Sequence, residues 1–254
     1  MIPAHTELSL VRHGRTVWHA ENRYAGSSDI PLDRTGRDQA RALALWVGDH
    51  PHDAVACSPL GRARATALPA AAALGVEPVV LGDLSEADFG LAEGLTLAET
   101  DARHPGAAHA FRADPAAHPL PGAEDPAAVA DRVRAALRSL ADEYPGRRVL
   151  VVAHNTALRL ALCSWLGIPL AHYRRVLPRL DNGAVTRLRV PADPAEPPAL
   201  LALNLPTRRE TRTDPRTHAS PVSSRRPSDP ARPRTSAPPA SPGPDTRRDP
   251  GPSD

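Results

Sequence analysis

Two histidines stand at the ends of the two most central-looking strand-like runs in this 254-residue chain. His13 lies two residues past Val11 in "LVRHGRT", and His154 directly follows "RVLVVA" (148–153). Arg12 precedes His13, and a third apolar run, "AVAC" (54–57), leads into "SPLGRAR" with Arg62 and Arg64. A strand that enters a loop normally passes to turn residues, whereas these pass to side chains that hold or attack an anion. Arginine grips phosphoryl oxygens bidentately and stays charged at any working pH. A neutral imidazole, with an unperturbed pKa of about 6.5, is a competent nucleophile near neutrality. Two imidazoles and two guanidiniums on one spot would be costly without an anion. A phosphate resolves that cost.

Convergence requires that the runs be neighbouring strands ending at one sheet edge. Strand patterns are expected at 7–11, 54–57, 77–81, 148–153, 183–190 and 198–205. Helical spacing is expected over 35–50, 58–75, 95–104, 126–143 and 155–167. In the second of these Ser58 is read as N-cap, Pro59 as the first helical residue and Gly75 as the stop. The run 148–153 is apolar throughout, as a strand buried on both faces requires. Strands alternating with helices predict an α/β fold, a three-layer α/β/α sandwich with a mostly parallel sheet. In such sheets ligands gather outside the carboxyl ends of the strands.

Composition narrows the alternatives. All 31 basic residues are Arg, and the formal net charge is +2. From Pro206 onward there are 10 Arg against 6 acidic residues, which leaves 21 basic and 23 acidic residues in 1–205. A near-neutral folded part argues against a nucleic-acid-binding domain. Residues 206–254 hold 12 of the 30 Pro and, among large apolar residues, only Val222. A segment so poor in apolar surface is expected to be a disordered tail, with 1–205 as the single folded domain. Cys57 and Cys163 form no CxxC pair and read as buried residues of a reducing compartment. The first residues show no signal-peptide pattern, and the longest apolar segment carries His154, Asn155 and Arg159, so no membrane span is expected. A cytoplasmic location follows. No Asp/His/Cys cluster has ligand spacing, so no metal and no cofactor is expected.

The segment "LVRHGRTVWHAENRYAG" (10–26) resembles the signature of the histidine phosphatase superfamily, in its phosphoglycerate-mutase-like branch. "SPLGRARATA" (58–67), "LSEADFGLAEG" (84–94) and "VLVVAHNTALRLAL" (149–162) resemble three further motifs of that family, in the family's order. The resemblance implies the phosphoglycerate-mutase-like fold over most of 7–190. It implies that His13 attacks phosphorus and becomes a phosphohistidine, and that Arg12, Arg62 and His154 hold the phosphoryl oxygens. Glu86 would protonate the leaving alcohol and then activate water. Gly26, which closes the first motif, and His19 join the implied substrate-binding set. Donors of this kind are worth roughly 3 kcal/mol each in the transition state. The implied partner is a small phosphorylated metabolite of the sugar or glycerate phosphate type.

Some positions depart from the pattern. His19 stands where the family commonly has an asparagine that touches the phosphate, and Arg15 where mutases carry an acidic residue. Asp88 and Glu93 lie near enough to Glu86 to compete for the acid role, as Arg64 competes with Arg62. The segment 104–125 lacks the paired-arginine, tyrosine-containing stretch with which mutases hold a substrate carboxylate, which favours hydrolysis over phosphoryl shuttling. Arg103 and Arg112 remain as candidate substrate-side residues. The readings still open are a phosphomonoesterase, a bisphosphate-primed mutase and a non-catalytic phosphate-binding module. A homodimer is left open, and the remaining histidines, His52 among them, are read as surface or loop residues.

Overall fold

The structure is a computed structural model, and it describes residues 5–207. The chain runs β1 (Thr6–Arg12), α1 (Arg34–Asp49), β2 (Ala54–Cys57), α2 (Gly61–Leu74), β3 (Val79–Val80), α3 (Leu97–Arg103), α4 (Ala107–Ala113) and α5 (Pro126–Glu143). It continues through β4 (Arg148–Ala153), α6 (Asn155–Trp165), α7 (Tyr173–Val176), β5 (Val185–Val190) and β6 (Ala199–Leu205). The six strands form one sheet in the order β3-β2-β4-β1-β5-β6. The pairs β2–β3, β2–β4 and β1–β4 are parallel, and β5 and β6 close the sheet antiparallel. From Arg208 on, the expected tail lies outside the described residues.

The pleat explains why β4 is apolar throughout. Val149, Val151 and Ala153 face one side, where α5 and α6 supply Val133, Leu137, Leu158 and Leu162. Leu150 and Val152 face the other, packed with Leu43 and Val47 of α1 and Ala63 and Ala67 of α2. A strand buried on both faces has no polar side to present, so continuous hydrophobicity replaces alternation. The result is the expected three-layer α/β/α sandwich. Both cysteines are free and buried. No helix among the described residues is long and apolar enough to cross a membrane.

The departures from expectation have local causes. Helix α2 starts at Gly61, after Leu60, which makes no side-chain cap. Ser58, read from the sequence as the N-cap, places its hydroxyl against His154 instead. Strand β5 begins two residues late because Gly183 takes φ 73°, a left-handed turn that ends the preceding loop. The segment after α3 contains α4, which the sequence reading left irregular. His52 is buried, bonded to the His50 carbonyl and the Ser9 hydroxyl, so it belongs to the packed interior and not to the surface.

Candidate active site

Strand register alone brings the two histidines together. The parallel pair β1–β4 sets Arg12 opposite Ala153, and the next residue in each strand is histidine. His13 N–H donates to the Ala153 carbonyl at 2.9 Å, extending the ladder past the strand end. The His13 and His154 ring centroids lie 5.1 Å apart. Ser58 N–H similarly donates to Val152 O at 3.1 Å, which fixes the end of β2 beside β4.

His13 is 5% exposed. Its Nδ1 lies 2.8 Å from the Gly14 carbonyl, which only accepts, so Nδ1 carries the proton and Nε2 keeps its lone pair. Burial, followed by His154, Arg12 and Arg62, holds its pKa well below the usual value. His154 is also held well below it by burial, then Arg62 and Arg12. Both rings are neutral at neutral pH. Gly14 is required here by a close approach: a Cβ would sit 2.6 Å from the Gly36 carbonyl at the start of α1. The Gly14 N–H donates to Thr66 Oγ1 at 2.9 Å, and Thr66 donates to Arg62 O. This chain of bonds ties the His13 loop to α2.

Arg12 donates to Leu180 O at 2.9 Å and to His19 Nε2 at 2.7 Å. A guanidinium only donates, so His19 Nε2 accepts from it, while Nδ1 lies 2.8 Å from Thr16 Oγ1 and 3.1 Å from the Thr16 backbone N–H. The pKa of His19 is lowered to about 4 by burial, Arg12 and Arg15. Through Nε2, His19 orients Arg12. Burial lowers Arg12 to about 10, which leaves it charged.

Arg62 is buried while Arg64 is exposed. Its two terminal nitrogens donate to the carbonyls of Ser28, Ala25 and Gly26. The Gly26 N–H is committed to Glu93 at 2.6 Å, so Gly26 serves as part of the cradle for Arg62. Arg12 Nε, Arg62 Nε and His154 Nδ1 are buried and have no hydrogen-bond partner. Three unpaired nitrogens grouped around His13 are what an oxyanion site provides, because such atoms are otherwise expensive to bury.

Of the three acidic candidates, only Glu86 faces this centre. It is 8% exposed, and its carboxylate accepts from the backbone N–H groups of Ala87, Thr156 and Ala157 at 2.8 to 3.1 Å. Two of these are the orphan donors of the first turn of α6. Asp88 caps Gly90 on the surface, and Glu93 holds Gly26 and Ser28.

A cavity of about 370 Å³ is lined by Arg12, His13, His19 and Glu86 among others; the buried Arg62 and His154 are not among its lining residues. Arg103 and Arg112 do not line it; both are exposed on α3 and α4. Arg23, Arg159, Arg174 and Arg179 line it instead, with Tyr24, Asn155 and Asn182. The sequence reading gave these arginines no substrate role: Arg23 and Arg159 lie within quoted motifs at positions to which no role was assigned, and Arg174 and Arg179 lie outside every motif. Asn182 donates to His13 O at 2.8 Å, just past the end of β1, and Asn155 Oδ1 accepts from the N–H of Leu180, the residue whose carbonyl receives Arg12. No group of three or more His, Cys, Asp or Glu among the described residues is placed to hold a metal ion.

The pattern of the histidine phosphatase superfamily (branch 1) matches residues 8–199, and the chain belongs to that family. It is 35% identical over 157 residues to an uncharacterized phosphatase, PhoE, of Bacillus subtilis, covering 62% of this chain and 76% of that one. It is 32% identical over 182 residues to a probable phosphoglycerate mutase, GpmB, of Salmonella paratyphi C, covering 72% and 84%. The structure of a mycobacterial glucosyl-3-phosphoglycerate phosphatase superposes with a TM-score of 0.69 at 30% identity, over 79% of this chain and 99% of that one.

Proposed function

We propose that this protein is a phosphomonoester hydrolase that works through a phosphohistidine on a small phosphorylated metabolite. The observation that carries the reading is His13: a neutral ring with Nδ1 anchored on Gly14 O, Nε2 free, and unpaired Arg12, Arg62 and His154 nitrogens beside it. Nε2 attacks phosphorus, the P–N bond forms and the P–O bond to the leaving group breaks. Glu86 passes a proton to the leaving oxygen. Water then attacks the phosphohistidine, Glu86 takes its proton, and the P–N bond breaks to release inorganic phosphate. Arg12, Arg62 and His154 stabilise the charge on the equatorial oxygens in both steps. The scheme uses no metal ion. It also fits a cytoplasmic enzyme with no nucleic-acid or membrane partner.

Incubation with p-nitrophenyl phosphate in the presence of a chelator tests this. The expected result is steady phosphate release that His13→Ala abolishes. Equal activity in the variant would remove His13 from the mechanism. Net conversion of 3-phosphoglycerate to its isomer, without phosphate release, would support the mutase reading instead.

A further inference from the structure

Among the described residues only Asn22 and Asn204 take a positive φ without being glycine, and Asn204 does so within a strand, at φ 54°. Other side chains avoid this region, although asparagine tolerates it better than most. The local cause is a bulge. Val185 pairs with Leu205 and Arg187 with Ala202, so two steps along β5 answer three along β6. A bulge breaks the alternation of a strand and re-aims a side chain, and bulges gather beside active sites. Val185 also pairs with Val11 of β1, one residue before Arg12. Asn204 therefore stands at the end of the sheet from which Arg12 and His13 emerge.

Its side chain grips the loop before β5 with both ends of the amide. Nδ2 donates to Arg179 O at 3.1 Å, and Oδ1 accepts from Asp181 N–H at 2.9 Å. The two peptide units that flank Leu180 are then engaged at both ends. In the first, Arg179 O receives Asn204, and Leu180 N–H donates to Asn155 Oδ1 at 3.0 Å. In the second, Asp181 N–H donates to Asn204, and Leu180 O receives Arg12 Nη1 at 2.9 Å. The Leu180 side chain is itself buried in the core. The carbonyl that holds Arg12 is thus fixed by packing, by Asn155 and by Asn204, and the last bonds to the same peptide unit. A carbonyl whose N–H is also engaged is a better acceptor, because hydrogen bonds in a chain polarise one another. Arg12 turns Nη1 to this carbonyl and Nη2 to His19, while its Nε is buried and unpaired.

We infer that Asn204 is a positioning residue for phosphoryl transfer, acting through the Leu180–Asp181 peptide to hold Arg12 with its Nε kept for the phosphoryl group. The inference rests on the phosphatase reading and adds to it a determinant on the outermost strand. Asn204 lies past residues 8–199, over which the family pattern matches, so the clamp belongs to this chain's own closing strand. It also accounts for the left-handed backbone. In a regular strand the residue would follow the pleat, whereas the bulge turns its amide onto the loop.

The test measures kcat/KM for p-nitrophenyl phosphate and inhibition by orthovanadate in the full chain and its variants. Asn204→Gly keeps the left-handed backbone, which glycine adopts freely, and deletes the clamp. It is expected to lower kcat/KM about tenfold and to weaken orthovanadate by a similar factor, the scale of one hydrogen bond to a charged group. Asn204→Asp keeps an acceptor for the Asp181 N–H and is expected to lose less. Asn204→Ser, too short to reach either partner, repeats the test should the glycine variant not fold. Wild-type values in Asn204→Gly would mean that the position needs only its backbone conformation, and would overturn the inference. A fall in kcat with orthovanadate affinity unchanged would report fewer folded molecules and would overturn it too. Equal losses in the glycine and aspartate variants would remove the Asp181 bond, and with it the proposed route to Arg12. In each of these cases His13-dependent hydrolysis by the wild type leaves the phosphatase reading standing. No hydrolysis by the wild type would overturn both.

Discussion

A single proton decides what His154 can do. Ser58 Oγ accepts from Leu60 N–H at 3.2 Å and lies 2.8 Å from His154 Nε2. If the hydroxyl gives its own proton to Nε2, the ring's remaining proton sits on Nδ1, the atom without a partner. His154 is then a neutral donor aimed at a phosphoryl oxygen, and Ser58 is the positioning residue that selects this tautomer. Ser58→Ala is expected to lower kcat about tenfold, the worth of about one hydrogen bond, and to weaken inhibition by orthovanadate by a similar factor. An unchanged vanadate affinity beside a reduced kcat would show that Ser58 does not act through His154. The His13 ring makes a second prediction at this scale. Its pKa lies well below 6.5, so kcat/KM measured from pH 7.5 down to 5.5 is expected to show no loss attributable to protonation of the nucleophile. A break near 6.5 that disappears in a variant of another histidine would assign it elsewhere, whereas one that persists would contradict the neutral ring.

At the scale of elements, the site is an agreement between strand ends and one helix that sits outside the motifs. Arg132 of α5 donates to the carbonyls of Asp83, Ser85 and Glu86 and forms an ion pair with Glu124 at 2.8 Å. It staples the loop that presents Glu86 to the first turn of α6. Arg132→Met is expected to mobilise Glu86 and so to cost more with an alkyl phosphate, whose leaving alkoxide needs a proton, than with p-nitrophenyl phosphate, whose phenolate leaves unaided. Roughly tenfold against less than threefold in kcat separates this from general loss of structure, which would affect both substrates equally. The strands that carry the histidines were legible because burial on both faces leaves a continuous apolar signature, and their histidines follow at once. Ser58 was misread because local capping preference spoke for a helix start, while the tertiary partner, His154, lies 96 residues away. Arg174 and Arg179 carried no local signal. They reach the cavity only because α7 and its loop fold back over the strand ends.

For the whole molecule, the buried neutral histidines couple the site to stability. His13 and His154 are held well below 6.5, and burial lowers both His19 and His52 to about 4. Unfolded, all four would bind protons below about pH 6.5, whereas in the folded chain His19 and His52 refuse them until about pH 4 and His13 and His154 until well below 6.5. Below pH 6.5 the unfolded state therefore holds more protons, and stability must fall as pH drops through this window. Each fully buried histidine contributes up to about 1.4 kcal/mol per pH unit, with His19 discounted because it is partly exposed. Denaturant unfolding at pH 7.5 and 5.5 is expected to show a loss of a few kcal/mol at the lower pH. His52→Gln, remote from the cavity, should shrink that loss by roughly one histidine's share relative to its own value at pH 7.5. Saturating orthovanadate should shrink it further, because an oxyanion beside His13 and His154 offsets the cost of their charge and lets the folded state take up the same protons. Stability that is level across the window would mean that these rings are already charged in the folded protein. In that case His13 would have no free lone pair for attack, and the same measurement would count against the proposed chemistry as well as the packing.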